Sequence, residues 1–118
     1  MTQHGTLTAE RWRSFEPDQR LLMIANEMHR VASCLDPERE RSRRLGYERV
    51  LRLTDLTIEV ADRWALRREL LRWRDLVAEL YLEEANPVGH AEAFRALLLL
   101  SPAGAEQLRA LDSLEQSS

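Results

Sequence analysis

The chain contains no lysine: all 17 of its basic residues are arginine. Codon usage in a GC-rich genome accounts for such a bias, and the functional alternative is arginine chosen for bidentate or stacked contacts with phosphates. Cysteine is almost missing as well. The one copy, Cys34, excludes an intrachain disulfide and fits a reducing, cytoplasmic compartment. Its apolar neighbours mark it as a buried small hydrophobe rather than a nucleophile. Long apolar runs are absent too: none is longer than Ala96 to Leu100, far short of the ~20 residues that cross a bilayer. Residues 1–15 lack the apolar stretch of a signal peptide, so the sequence predicts no membrane association. β-Branched residues are scarce, with 2 Ile and 5 Val against 21 Leu. That balance favours helix, because leucine keeps most of its rotamer freedom there.

What is present suits a folded helical domain. A chain of 118 residues makes one domain and buries roughly two-thirds of its unfolded surface, so it needs no disulfide or metal staple. Apolar residues at 44% and charged residues at 31% are globular proportions.

Periodicity and caps divide the chain into helices. Residues 1–7 read as a tail, after which Thr8 can cap a short helix over 9–15 that presents Trp12 and Phe15. Pro17 stands where a first helical turn tolerates a missing N–H. Behind it Leu21, Ile24, Met28, Val31 and Leu35 recur at 3–4 spacing, predicting an amphipathic helix over 18–35. Asp36-Pro37 reads as an N-cap followed by proline and opens a helix over 37–62. This helix has two apolar faces, one through Tyr47, Val50 and Ile58 and one through Leu45, Leu53, Leu56 and Val60, which makes it the central element. A break near Asp62, with Asp62 as N-cap, separates it from a helix reaching about residue 84. The seam of that helix, Leu66, Leu70, Trp73, Val77 and Leu80, is heptad-like. The alternative is one unbroken helix over 37–84. Asn86-Pro87-Val88-Gly89 ends the element, a helix over 90–100 follows, and Ser101-Pro102 opens a last one through about residue 114. Residues 115–118 read as a C-terminal tail. Nothing alternates with period two for more than four residues, so no strand is predicted. The expected fold is all-α: an up-down bundle of three to four long helices and one or two short ones, with a central antiparallel hairpin at about 37–84.

Charge is unevenly distributed. Residues 1–35 are neutral, 36–74 carry net +3 and 75–118 carry net −6, within an overall −3 that argues against a general nucleic-acid binder. Glu40–Arg44, Glu48–Arg52 and Glu59–Arg63 are i,i+4 pairs in the favourable order. Arg39, Arg41, Arg43 and Arg49 sit near a helix start, and the row Asp75, Glu79, Glu83 sits near a helix end. Both placements oppose the helix dipole. Folding the hairpin about residue 63 sets Glu83 near Arg43 and Glu79 near Tyr47, and it predicts cross-helix pairs between the acid row and the arginines.

Candidate chemistry is sparse. Glu59 and Asp62, with Asp55 one turn earlier, form the acidic-x-x-acidic pattern with which the all-helical MazG-like nucleotide pyrophosphatases hold magnesium. Their second Glu-x-x-Glu is missing, since Glu27, Glu38, Glu40 and Glu48 are each followed at i+3 by Arg or Leu. No arginine precedes a histidine by four to six residues, which excludes an active ribonuclease site of the HEPN type. His29 and His90 lack a glutamate at i−3, so the di-iron carboxylate pattern fails. Ser33 and Cys34 have no base partner in sequence. The arginines Arg39, Arg41, Arg43 and Arg44 offer phosphate contacts, but Tyr47 is the only aromatic among them. The first expectation is therefore a non-catalytic, cofactor-free protein-interaction or assembly module, self-associating as a homodimer because its apolar faces outnumber what a monomer buries. RNA- or DNA-phosphate binding through residues 39–52 ranks second. A magnesium-dependent nucleotide hydrolase at Glu59 and Asp62 ranks third.

Overall fold

A computed structural model describes residues 8–117; the expected tail of residues 1–7 lies outside them. Six α-helices stand in that span: α1 (Ala9–Arg13), α2 (Pro17–Val31), α3 (Glu40–Val60), α4 (Trp64–Leu82), α5 (Pro87–Leu98) and α6 (Pro102–Ser117). No strand occurs among the described residues, and none of their helices is long and apolar enough to cross a membrane.

The caps explain most of the boundaries. Thr8 Oγ1 accepts from the Arg11 N–H at 3.2 Å and starts α1. Glu16 and Gln19 form a reciprocal capping box ahead of Pro17, satisfying donors that the first turn of α2 would otherwise orphan. Several boundaries differ from the expectations above: α1 stops at Arg13, and α2 stops at Val31, its end tightening into a 3-10 turn over Ala32–Cys34. The Asp36 side chain makes no cap hydrogen bond; its carboxylate lies 3.8 Å from Arg39 Nε instead, so Pro37–Arg39 tightens into a 3-10 turn and α3 starts at Glu40. Asn86 accepts from Gly89 N at 2.9 Å and puts Pro87 inside the first turn of α5, so the cap-then-proline signal opens this helix rather than closing the previous one. The last helix runs on to Ser117, past the tail expected from residue 115.

The break between α3 and α4 falls at residues 61–63, with Arg63 rather than Asp62 at the N-cap position. Ala61 takes an extended conformation (φ −67°, ψ 122°), which stops the helical ladder after Val60. The three-residue link folds α4 back antiparallel to α3, and α2, α3, α4 and α5 succeed one another up and down about one core. This is the all-α bundle, with its central hairpin, that the periodicity implied.

The core contains Leu21, Ile24, Met28 and Val31 of α2, Val50 and Leu53 of α3, Leu70, Trp73, Val77 and Leu80 of α4, and Leu97 and Leu98 of α5. Gly46 permits the close α2–α3 crossing, because a Cβ there would lie 2.5 Å from a Val31 methyl. Two buried indoles fasten the outer elements. Trp12 Nε1 donates to Thr57 Oγ1 at 2.8 Å, tying α1 to α3, and Trp73 Nε1 donates to the Ala93 carbonyl at 2.7 Å, tying α4 to α5.

Candidate functional site

The acidic candidates Asp55, Glu59 and Asp62 do not converge. The extended turn at Ala61 takes Asp62 out of helical register with Glu59. Asp55 and Glu59 line a groove beside Tyr81, whereas Asp62 lines a separate cleft with Pro17, Arg20, Thr57 and Leu66. Asp55 is engaged by Arg74 of α4 through both carboxylate oxygens. Among the described residues no group of three or more His, Cys, Asp or Glu could hold a metal ion, and a divalent cation needs several converging oxygens. The same break removes the helical spacing behind the expected Glu59–Arg63 pair.

The arginine candidates separate in a similar way. Arg43 is buried, and its Nη2 donates to the Glu83 carbonyl at 3.3 Å, which places a cation at the C-terminal end of α4. It is therefore withdrawn from any phosphate-binding surface. Arg39 donates to the Ser33 carbonyl at 3.1 Å, and Arg44 pairs with Glu40 at 3.2 Å. Of the four, Arg41 and Arg44 line a surface groove, with Leu45, Glu48 and Tyr81. Tyr47 is 1% exposed and offers no stacking platform.

The hairpin register expected at Arg43 and Glu83 is the observed one, but the contact uses the backbone carbonyl rather than the carboxylate. Farther along, the cross-helix ion pair has its arginine on α4 and its carboxylate on α3, Arg74 with Asp55. Asp75, Glu79 and Glu83 are exposed.

A buried polar cluster escaped the sequence reading. Tyr47 Oη lies 2.8 Å from His90 Nδ1, and His90 Nε2 lies 2.8 Å from the Met28 carbonyl, joining α3, α5 and α2. The carbonyl can only accept, so Nε2 carries the proton and Nδ1 accepts from the tyrosine. Burial pushes the Tyr47 phenol up to about 12, against the lowering effect of the nearby Arg43 charge. Burial also holds His90 below its ordinary 6.5, against the raising effect of the Met28 carbonyl. Both groups are neutral near pH 7, without a nucleophile beside them, and the cluster orients three helices. Arg20 acts like Arg43: Nε and Nη2 donate to the Trp12 and Arg13 carbonyls at 3.2 and 3.0 Å, closing the end of α1. The available signal was an arginine at a stripe position, since Arg43 precedes Tyr47, Val50, Thr54 and Thr57 at 3–4 spacing. Cys34 is half-buried rather than fully buried.

The outward side of the α3–α4 hairpin has a different character. Two contiguous grooves of about 350 and 460 Å³ run along it, sharing Glu48 and Tyr81 and lined by Leu45, Leu51 and Leu56 of α3. On α4, Trp64, Leu71 and Leu82 are 72%, 48% and 72% exposed. At 3.6 residues per turn these three lie within about 20° of one another, and about 160° from the centre of the buried Leu70–Trp73–Val77–Leu80 face. Trp64 is held by Arg68, whose guanidinium carbon sits 5.4 Å from the ring centroid. The result is a helix apolar on two sides, with one side lacking a partner among the described residues.

Comparison of the chain with protein-family models, with curated proteins and with solved structures finds no match.

Proposed function

We propose that the chain is a non-catalytic protein-interaction or assembly module that recognises its partner through the outward face of the α3–α4 hairpin, in a reducing, cytoplasmic compartment. The observation that carries this reading is the second apolar stripe of α4, where Trp64, Leu71 and Leu82 stand exposed on a helix that already buries its other side. Large apolar side chains aligned on one rigid face mark contact surfaces, whereas scattered ones need no explanation. The grooves between α3 and Tyr81 of α4, lined by Leu45, Leu51 and Leu56 and rimmed by Arg41, Arg44, Glu48, Asp55 and Glu59, add an apolar floor with a polar border on the α3 side. Cys34, unpaired, supports the compartment. Phosphate binding through residues 39–52 is displaced by this reading, because Arg43 is buried and Arg39 and Arg44 are bound to the fold.

The test places a photo-crosslinking residue at Leu71 in the cell, with the buried Val77 of the same helix as control. Adducts from position 71 and none from position 77 support the interaction face. The absence of adducts at 71 overturns it.

A further inference from the structure

The charges flanking the exposed stripe of α4 point to its occupant. The first half of the helix carries Arg67, Arg68 and Arg72 against Glu69, and the second half and its end carry Asp75, Glu79, Glu83 and Glu84 against Arg74, which is turned to Asp55 of α3. The first turn has no acid and the last turn no base, so both ends are charged against their own helix dipole. The fold meets this imbalance only in part: Arg72 pairs with Glu69 at 3.4 Å and Asp75 feels the charge of Arg74, but Asp75, Glu79 and Glu83 are exposed, and the contact that α3 makes to Glu83 is to its carbonyl. A surface with an apolar stripe along its length, bordered by base toward one end and by acid toward the other, is complementary to itself when reversed. That is the requirement for a two-fold, isologous interface.

We propose that the occupant is a second copy of this chain, docked antiparallel α4 against α4 about a two-fold axis near Trp73. The inference rests on the reading of the outward face given above. This axis sets Trp64 opposite Leu82 of the second copy, at both ends of the interface. It brings Arg68 and Arg72 beside Glu79 and Asp75 of the second copy, each pairing occurring twice by symmetry. Each macrodipole then meets its opposite end on the other copy. Arg68 keeps its place over the Trp64 ring, so the indole is presented already ordered and loses less freedom on binding. A helix of 19 residues is about 28 Å long. One face of it covers less than the ~800 Å² per partner of a standard interface, which puts the contact among the small, transient ones.

Sedimentation velocity across the micromolar range tests the proposal, with charge-reversed variants. The wild-type mass is expected to rise with concentration from 13.8 kDa toward twice that value. Arg68→Glu/Arg72→Glu turns the basic half of the helix net acidic, and Asp75→Arg/Glu79→Arg turns the acidic half net basic. Each alone weakens association by roughly tenfold or more, while an equimolar mixture of the two re-associates as a heterodimer. All four positions are solvent-facing, and unchanged thermal midpoints verify that both variants fold. A wild type that stays monomeric at every concentration overturns the proposal, and so does failure of the mixture to associate. Photo-crosslinks from Leu71 to a chain of another mass, with the wild type monomeric, overturn the second copy while leaving the interaction face standing. No crosslink at all removes both.

Discussion

The two helices of the central hairpin depart from ordinary side-chain placement in opposite directions. α3 turns Arg43, Tyr47, Thr54 and Thr57 into the core, and α4 turns Trp64, Leu71 and Leu82 out to solvent. The inward polar groups find partners. The Thr54 and Thr57 hydroxyls donate to the Val50 and Leu53 carbonyls, Tyr47 meets His90, and Arg43 meets the Glu83 carbonyl. Each bond has a defined direction; with the Trp12–Thr57 and His90–Met28 contacts they fix α1, α2, α4 and α5 around α3. The outward apolar groups of α4 have no such partners among the described residues. Burying a polar group costs unless it is bonded, and exposing an apolar one costs unless something later covers it. The first departure therefore belongs to folding and the second to recognition.

The sharpest test of that division compares two tryptophans of one helix. Trp73→Ala removes a fully packed indole and its bond to the Ala93 carbonyl, and is expected to lower the unfolding free energy by about 3–5 kcal/mol. Trp64→Ala, nine residues earlier on the outward side, is expected to change it by less than about 0.5 kcal/mol. Urea midpoints of the two variants, taken at a protein concentration low enough to keep the chain monomeric, decide the matter. Equal effects would break the comparison.

Arg43 separates packing from charge. Arg43→Ala is expected to cost about 2–4 kcal/mol, from a cavity and an abandoned Glu83 carbonyl. Arg43→Met, of similar volume, is expected to cost under about 1.5 kcal/mol, because no buried anion is left unpaired and the partnerless Arg43 Nε disappears. A methionine variant as damaged as the alanine one would show that the cap on α4 outweighs the packing.

The Tyr47–His90 pair makes stability depend on pH from both sides. His90 is held below 6.5 in the fold, so the unfolded chain binds more protons and stability falls as pH drops below that value. Tyr47 is raised from 10.0 to about 12, so its share is complete below pH 10 and is lost as pH rises toward 12. Urea midpoints measured from pH 5 to 11 are expected to form a plateau between those limits. Tyr47→Phe leaves His90 Nδ1 without its donor, costs about 1–3 kcal/mol within the plateau, and removes the alkaline loss assigned to this residue.

The architecture was legible in the sequence where periodicity and caps agree, as at Thr8, Pro17 and the Leu70–Leu80 seam. It was less so where a cap signal has two readings: Asn86-Pro87 closes one helix and opens the next, and Asp36 spends its carboxylate on Arg39 rather than on backbone donors. The candidate surface was half legible. The two apolar faces of the hairpin could be seen, but not which of them lacks a neighbour, because helical period fixes an angle around one axis and not the position of other helices. Arg43 and the acid row were recognised as misplaced for their dipoles. Their resolution differed, since a carbonyl of α4 satisfies the arginine and leaves the carboxylates facing outward. His90 could not be paired with Tyr47 from sequence, for they meet across 43 residues through α5 packing on α2 and α3.

The smallest effect belongs to the contact that looks most like a clasp. Arg74 reaches across the hairpin to both oxygens of Asp55, and that carboxylate, by hydrogen bond and by charge, raises the guanidinium above its ordinary value. Both side chains remain substantially exposed, at 37% and 53%, where water and salt screen the pair and holding two side chains in one geometry offsets much of the gain. A double-mutant cycle of Asp55→Asn and Arg74→Gln is expected to return a coupling below about 1 kcal/mol, shrinking as ionic strength shortens the screening length. The hairpin register would then rest on the other end, where the buried Arg43 side chain bonds the Glu83 carbonyl. A coupling that is larger and insensitive to salt would move the register determinant to the surface. It would also show that the outward side of α3–α4 is organised for folding as well as for contact.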